Sequence, residues 1–334
     1  MQTQSKPKQF SIFCVNDEPF CVWDANIQSL NFEFLDRIDP KYFQYVAVTN
    51  EPNLEGENKH RSATAIRTGF YHSLETFFSL VCASLQAPDC IFAWILKYKN
   101  APLRSMVSAI SSGSSNFPCK LNLEQINWES IAKAMLGKAD MALDEKEQFI
   151  TLYAKLWSRL AEVFVDEKSN AEYNSIKHGL RTGSGGFGLA IGIEEQYGVP
   201  APPDKMNLIG TNEFSHSFYM AQPVGNLKPN PNIKISRTSL AWNPRALSVA
   251  IQLLSYSIQN VIVMIKVING VDPSTLQYAF PEDKEAFEKP FEDSSPIPSM
   301  TWQINVNIAD ESLFTRDRLN EIVLKNRKTS APPT

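Results

Sequence analysis

The stretch NPRALSVAIQLLSYSIQNVIVMIKVING, residues 243–270, decides the fold class. Asn243 can cap a helix through its side-chain oxygen, Pro244 suits a first turn that has no use for its missing N–H, and Asn269 with Gly270 ends the run about seven turns later. Leu247, Ile251, Leu254, Ile258, Val261, Ile265 and Ile268 recur at helical spacing, and Val249, Leu253, Val263 and Val267 add a second apolar face. The length would also suit a bilayer span. Gln252, Gln259, Asn260 and Lys266 would each be costly in hydrocarbon, so the reading is a buried core helix and no membrane partner is expected.

A core helix needs others around it. From Ser62 onward Ile66, Phe70, Leu74, Phe77, Val81 and Leu85 predict a helix that stops before Pro88, and a further helix is expected over 91–110, closed by SSGSSNFP. Asp144 and Glu147 have the spacing of a capping box, opening a helix with Phe149, Leu152, Leu156, Leu160 and Val163 on one stripe. A break at Ser169 precedes another helix that ends near Gly179 to Gly183.

Outside this helical middle the signals are those of strands and turns. FSIFCV and PFCVW predict short strands within residues 10–58, GLAIGI and HSFYM lie in a Gly- and Pro-rich region, and Trp302, Ile304, Val306 and Ile308 alternate as in a strand. FPEDKEAFEKPFEDSSP, from Phe280, reads as a solvated acidic loop. The expected fold is α+β and predominantly α-helical: a helical-bundle core with short β strands from the termini and an irregular β insertion. One composite domain would comprise a mixed segment 1–58, a helical core 59–182, a β insertion 183–240, the buried helix and terminal strand 241–325, and a disordered tail 326–334.

Composition narrows the function. With 43% hydrophobic and 20% charged residues the chain is neither disordered nor fibrous, and a net charge of −4 supplies no global field for coating nucleic acid, although a local basic patch still can. Cys14, Cys21, Cys82, Cys90 and Cys119 are odd in number and form no C-x-x-C pair, so they read as reduced and mostly buried, with no metal site expected. The amino terminus has no apolar run after its basic residues, which makes a cytoplasmic location the default expectation.

Three motifs invite chemistry. GSGGFG, with Gly183, Gly185, Gly186 and Gly188, matches the string of dinucleotide-binding folds, but a helix precedes it and a β-prone run follows, which inverts the required context. No dinucleotide or other cofactor is expected there, and the glycines read as a hinge or loop. In YNSIKHGLR, helical projection places Asn174, His178 and Arg181 on one side with Lys177 alongside, and Tyr173, Ile176 and Leu180 on another. An imidazole beside fixed cations and an amide suits attack at a phosphodiester, the histidine moving protons while the cations stabilise the phosphorane. The same cations also suit the carboxyl end of any helix. In RTGFYHSLE, Arg67 and His72 are separated by four residues and Glu75 lies a turn beyond, which also describes the polar edge of an ordinary helix. His60 and His216 read as surface residues.

Asn174-Ser175-Ile176-Lys177-His178 resembles the N-x-x-x-H half of the motif of HEPN domains, and the Arg67–His72 spacing resembles its arginine–histidine half. The resemblance covers about residues 60–182 and implies an antiparallel helix bundle, in many members a metal-independent ribonuclease of toxin or defence systems. Tyr173 stands where that motif carries arginine before Asn174, and Thr68 follows Arg67 where it carries asparagine, so a bundle kept for binding alone is equally implied. Two expectations result. In the first, the chain cleaves or binds RNA without metal, with His178 as acid or base, Asn174 orienting, Arg181 and Lys177 on phosphate, and Arg67, His72 and Glu75 as further binding residues. In the second, it is a non-enzymatic binding or structural protein whose aromatic-rich helices meet another chain or a second copy as a homodimer. Convergence of the polar side chains in a cleft favours the first.

Overall fold

The computed structural model describes residues 9–24, 26–114, 116–194, 196–226, 228–292, 295, 297–303 and 312–329. The chain opens with a hairpin of β1 (Gln9–Val15) and β2 (Glu18–Asp24). Helices α1 (Ile27–Arg37) and α2 (Tyr42–Asn50) follow, where the sequence suggests strands and turns. The physical reason is a polar residue on the core face. Ile27, Asn31 and Leu35 are the buried positions of α1, and Asn31 donates to the Pro88 carbonyl (3.3 Å) and accepts from the Ile91 N–H (2.7 Å), so the apolar period is interrupted where the helix is most buried.

Then come α3 (Lys59–Gln86), α4 (Ile91–Lys97) and α5 (Asn100–Ser112). The single helix expected over 91–110 is two, and Pro102 sits in the first turn of the second, where its missing donor is tolerated. After α6 (Trp128–Leu136), α7 (Leu143–Val165) starts from Ala142 without a side-chain cap; Asp144 and Glu145 lie in its first turn, so the capping box is absent and the acids face the positive end of the helix dipole instead. Asp166, not Ser169, makes the break to α8 (Glu167–Lys177), its carboxylate accepting from the Ser169 N–H at 2.7 Å.

GSGGFG is neither hinge nor loop but part of β3 (Thr182–Ile191). A side chain at Gly186 would place its Cβ 2.4 Å from the Asn212 carbonyl oxygen, so the glycine permits close pairing with β4 (Asn207–Pro223) at an irregularity in the ladder. β5 (Ile233–Ala241) leads to α9 (Pro244–Ile268), and the described chain ends with β6 (Ser299–Gln303) and α10 (Arg316–Thr329). Ile304, Val306 and Ile308 lie outside the described residues; α10 extends into the expected tail as far as Thr329, and residues 330–334 also lie outside.

The result is an α+β, predominantly helical fold, 54% helix and 18% strand, with two antiparallel sheets among the described residues. It divides into two compact units, where the sequence suggested one composite domain: the first is Met1–Tyr173 with Asn243–Ser294, the second Asn174–Trp242 with Ser295–Thr334. In the first, α9 lies along α3, with α2 packed on both. The Asn243 side chain caps α9 as expected, accepting from the N–H groups of Arg245 (2.9 Å) and Ala246 (3.3 Å). α9 has the length and composition of a membrane span, and most of its apolar stretch is buried in the protein. The acidic run after Phe280 is not simply solvated: Phe287 is buried against Tyr153, and Phe280 packs on Phe149. The second unit holds the sheet β3-β4-β5-β6.

Candidate functional site

Arg67, Tyr71 and Glu75 recur every four residues along α3 and form one face, as helical geometry requires. In the first unit this face meets Glu172 and Tyr173 of α8. Arg67 donates from Nε to Glu172 Oε1 (3.3 Å) and from a terminal nitrogen to Oε2 (2.8 Å), while the Tyr71 hydroxyl donates to the same Oε2 (2.6 Å) and accepts from Arg67 (2.8 Å). Arg67 is 6% exposed and Glu172 fully buried. Burial works against the guanidinium charge, but Glu172 and Tyr71 outweigh it and hold the Arg67 pKa above its ordinary value.

Arg67, expected as a binding residue, is buried here and neutralises a buried carboxylate. Glu75 is likewise engaged, accepting from the hydroxyls of Tyr98 (3.0 Å) and Tyr173 (2.5 Å). His72 is exposed and meets the Tyr173 ring edge-on, centroids 5.6 Å apart. Glu172, Tyr71 and Tyr98 carried no signal in the sequence, because the partners of each lie elsewhere in the chain or look like ordinary core residues.

Burial raises the Tyr71 pKa well above its usual value, with Arg67 pulling the other way, and burial also raises that of Tyr153. In the unfolded chain both ionise near pH 10, whereas in the folded unit both stay protonated. Their contribution is therefore complete below pH 10 and is lost as pH rises beyond it, by about 1.4 kcal/mol per pH unit for each tyrosine. Urea titrations between pH 9 and 11 should show the first unit weakening in this way, less steeply in Tyr71→Phe; a flat profile would mean that neither hydroxyl is held neutral.

The other motif lies at the carboxyl end of α8, in the second unit. Asn174 is half-buried, and Lys177, His178 and Arg181 are exposed. The helix stops at Lys177; Gly179 (φ +103°) and Leu180 (φ +51°) are left-handed, and the N–H groups of Leu180 and Arg181 bond back to the carbonyls of Ile176 (3.0 Å) and Ser175 (2.7 Å). Arg181 therefore does not share a helical face with Asn174 and His178, and Leu180 is exposed rather than on the apolar side, because the projection ran past the end of the helix. The cations mark a helix terminus and the start of a strand.

In the sheet, alternate residues separate two faces. His216, Phe218, Thr238 and Ser236 are buried on one side, and His216 meets Trp242 edge-on (5.1 Å), so this histidine is no surface residue. His60 is half-buried. On the other side Tyr219, Arg237 and Trp302 stand opposite one another on β4, β5 and β6 and are all exposed. Neither Tyr219, Arg237 nor Trp302 is marked by any motif, since the row exists only through pairing between distant strands.

Charge is divided between the units. The second carries 11 Lys and Arg against 8 Asp and Glu, leaving 21 against 28 for the first. A cavity of about 470 Å³ in the first unit is lined by Lys41, Gln44, Tyr256, Gln259 and Tyr278, with none of the expected site residues among its walls. Among the described residues no group of three His, Cys, Asp or Glu side chains is placed to hold a metal ion. Burial raises the Cys82 thiol and pushes that of Cys90 up to about 11.

Fold and side-chain placement thus define an α+β, mainly helical protein with an acid-rich helical unit and a basic unit built on a sheet. No protein-family model, curated protein or solved structure matches the chain.

Proposed function

We infer that this chain binds RNA without cleaving it, through its second unit. The observation that carries the reading is the charge division, which gives that unit a basic excess while the whole chain is acidic, with Lys177, His178 and Arg181 exposed on it. The resemblance to HEPN domains is consistent with an RNA partner, whereas the engagement of Arg67 by Glu172 argues against cleavage. A ribonuclease of that kind needs a cation free to meet the phosphorane beside a histidine. Here the arginine preceding His72 is committed to a carboxylate, and the sequence around His178 places no arginine before it.

The test is to incubate the protein with total cellular RNA and short defined RNAs in chelator, while measuring binding of a labelled RNA by fluorescence anisotropy. Intact RNA and binding that weakens with salt are expected, with His178→Ala leaving RNA equally intact. Cleavage that disappears in His178→Ala would restore the catalytic reading, and absence of binding at low salt would remove RNA as the partner.

A further inference from the structure

The exposed face of the second unit's sheet is ordered in a way that an ordinary solvent face is not. β4, β5 and β6 pair so that Tyr219 stands opposite Arg237 and Arg237 opposite Trp302. Tyr219 is 70% and Trp302 61% exposed, and Arg237 is exposed between them, while their neighbours on the opposite side, Phe218 and Thr238, are buried at 1% and 0%. Adjacent strands lie about 4.8 Å apart, so the two rings are separated by about 10 Å with a guanidinium between. Thr182 opens β3 opposite Phe218, and Arg181, exposed, immediately precedes it at the edge of this row. Ring, cation and ring thus alternate across β4, β5 and β6, with Arg181 exposed just before β3.

We propose that this row is a binding platform for single-stranded RNA, with bases stacking on Tyr219 and Trp302 and phosphates meeting Arg237 and Arg181. The proposal rests on the RNA-binding reading above and gives it a location and a strand preference. Tyr219 and Trp302 are grouped on one face rather than scattered singly, and a grouped apolar surface of this kind marks a contact site. Stacking requires a base whose flat face is free, which a single strand offers and a duplex withholds. Charge agrees: the four strands contain one acidic residue, Glu213, and it is six residues from Tyr219 along β4, about 20 Å away. An anionic partner with aromatic faces satisfies both features, whereas an apolar protein surface would leave the two arginines unanswered.

The experiment uses the full chain and fluorescein-labelled 12-nucleotide RNA, single-stranded and as a duplex, with single-stranded DNA of the same sequence. Tyr219→Ala and Trp302→Ala should each weaken single-strand RNA binding by roughly five- to a hundred-fold, while Tyr219→Phe, which keeps the ring, stays near wild type. Arg237→Gln should reduce the salt dependence by about one phosphate contact. All three substituted side chains are on the surface, and unchanged melting curves confirm that the variants remain folded. RNA binding that survives both alanine substitutions within twofold, or that favours the duplex, overturns this platform and leaves the RNA-binding reading standing. Tighter binding of the DNA strand overturns the choice of RNA, and failure to bind any RNA removes both readings. Loss of self-association in the alanine variants, seen by sedimentation with RNA affinity unchanged, assigns the face to a second copy of the chain instead.

Discussion

Glu172→Gln is expected to destabilise the first unit by about 3–5 kcal/mol, the loss found when one member of a buried ion pair is removed and the other keeps its charge. Arg67 would keep it, because a guanidinium stays protonated near neutral pH even without a carboxylate beside it. The neutral amide can replace part of the bidentate contact at 2.8 and 3.3 Å, but not the charge that offsets desolvation of an arginine only 6% exposed. The one amide oxygen must then serve both Arg67 and the Tyr71 hydroxyl, where the carboxylate offers two. Urea unfolding followed by far-ultraviolet circular dichroism measures the change. The paired substitution Arg67→Met with Glu172→Leu is the informative control, since removing both charges should recover most of the stability. A loss under about 1 kcal/mol in Glu172→Gln would mean that water reaches the pair.

Trp157→Ala should cost about as much, 3–5 kcal/mol, by a different route. The Trp157 side chain has no exposed surface and touches the rings of Phe77 (5.1 Å between centroids), Tyr153 (5.4 Å) and Trp128 (6.4 Å). Its indole N–H donates to Ser257 Oγ at 3.0 Å, which ties α7 to α9. Alanine leaves a cavity among side chains that already interlock and deprives Ser257 of that donor. Trp157→Phe should lose less, because it retains the ring contacts. Chemical denaturation of the three proteins gives the ranking, and an alanine variant within 1 kcal/mol of wild type would show that the surrounding helices collapse into the space.

Legibility followed the range of the interactions. α9 could be read directly because its cap, first-turn proline and terminal glycine are local, and its apolar faces do not depend on which helices cover them. α1 was hidden because Asn31 is justified only by Pro88 and Ile91, 57 and 60 residues away. The candidate site shows the same division. His178 and Lys177 could be placed near the end of a helix from composition alone. The commitment of Arg67 could not, since Glu172 lies 105 residues further on. Arg181 was misplaced for a local reason: Leu180 takes a left-handed conformation that a leucine does not advertise. The row from Tyr219 to Trp302 depends on strand register across more than 80 residues and has no signature along the chain.

The first unit is built from two separated stretches of chain, and synthesis meets them in order. Gln86 ends α3 long before Pro244 begins the helix that covers it, with the strands β3 to β5 made in between. At a ribosomal pace of about 5–20 residues per second, the apolar side of α3 waits on the order of 10 s for its partner. The nascent chain thus passes through an interval in which the side of α3 that α9 will cover is open, and a holding chaperone acting then has a defined target on the emerging polypeptide.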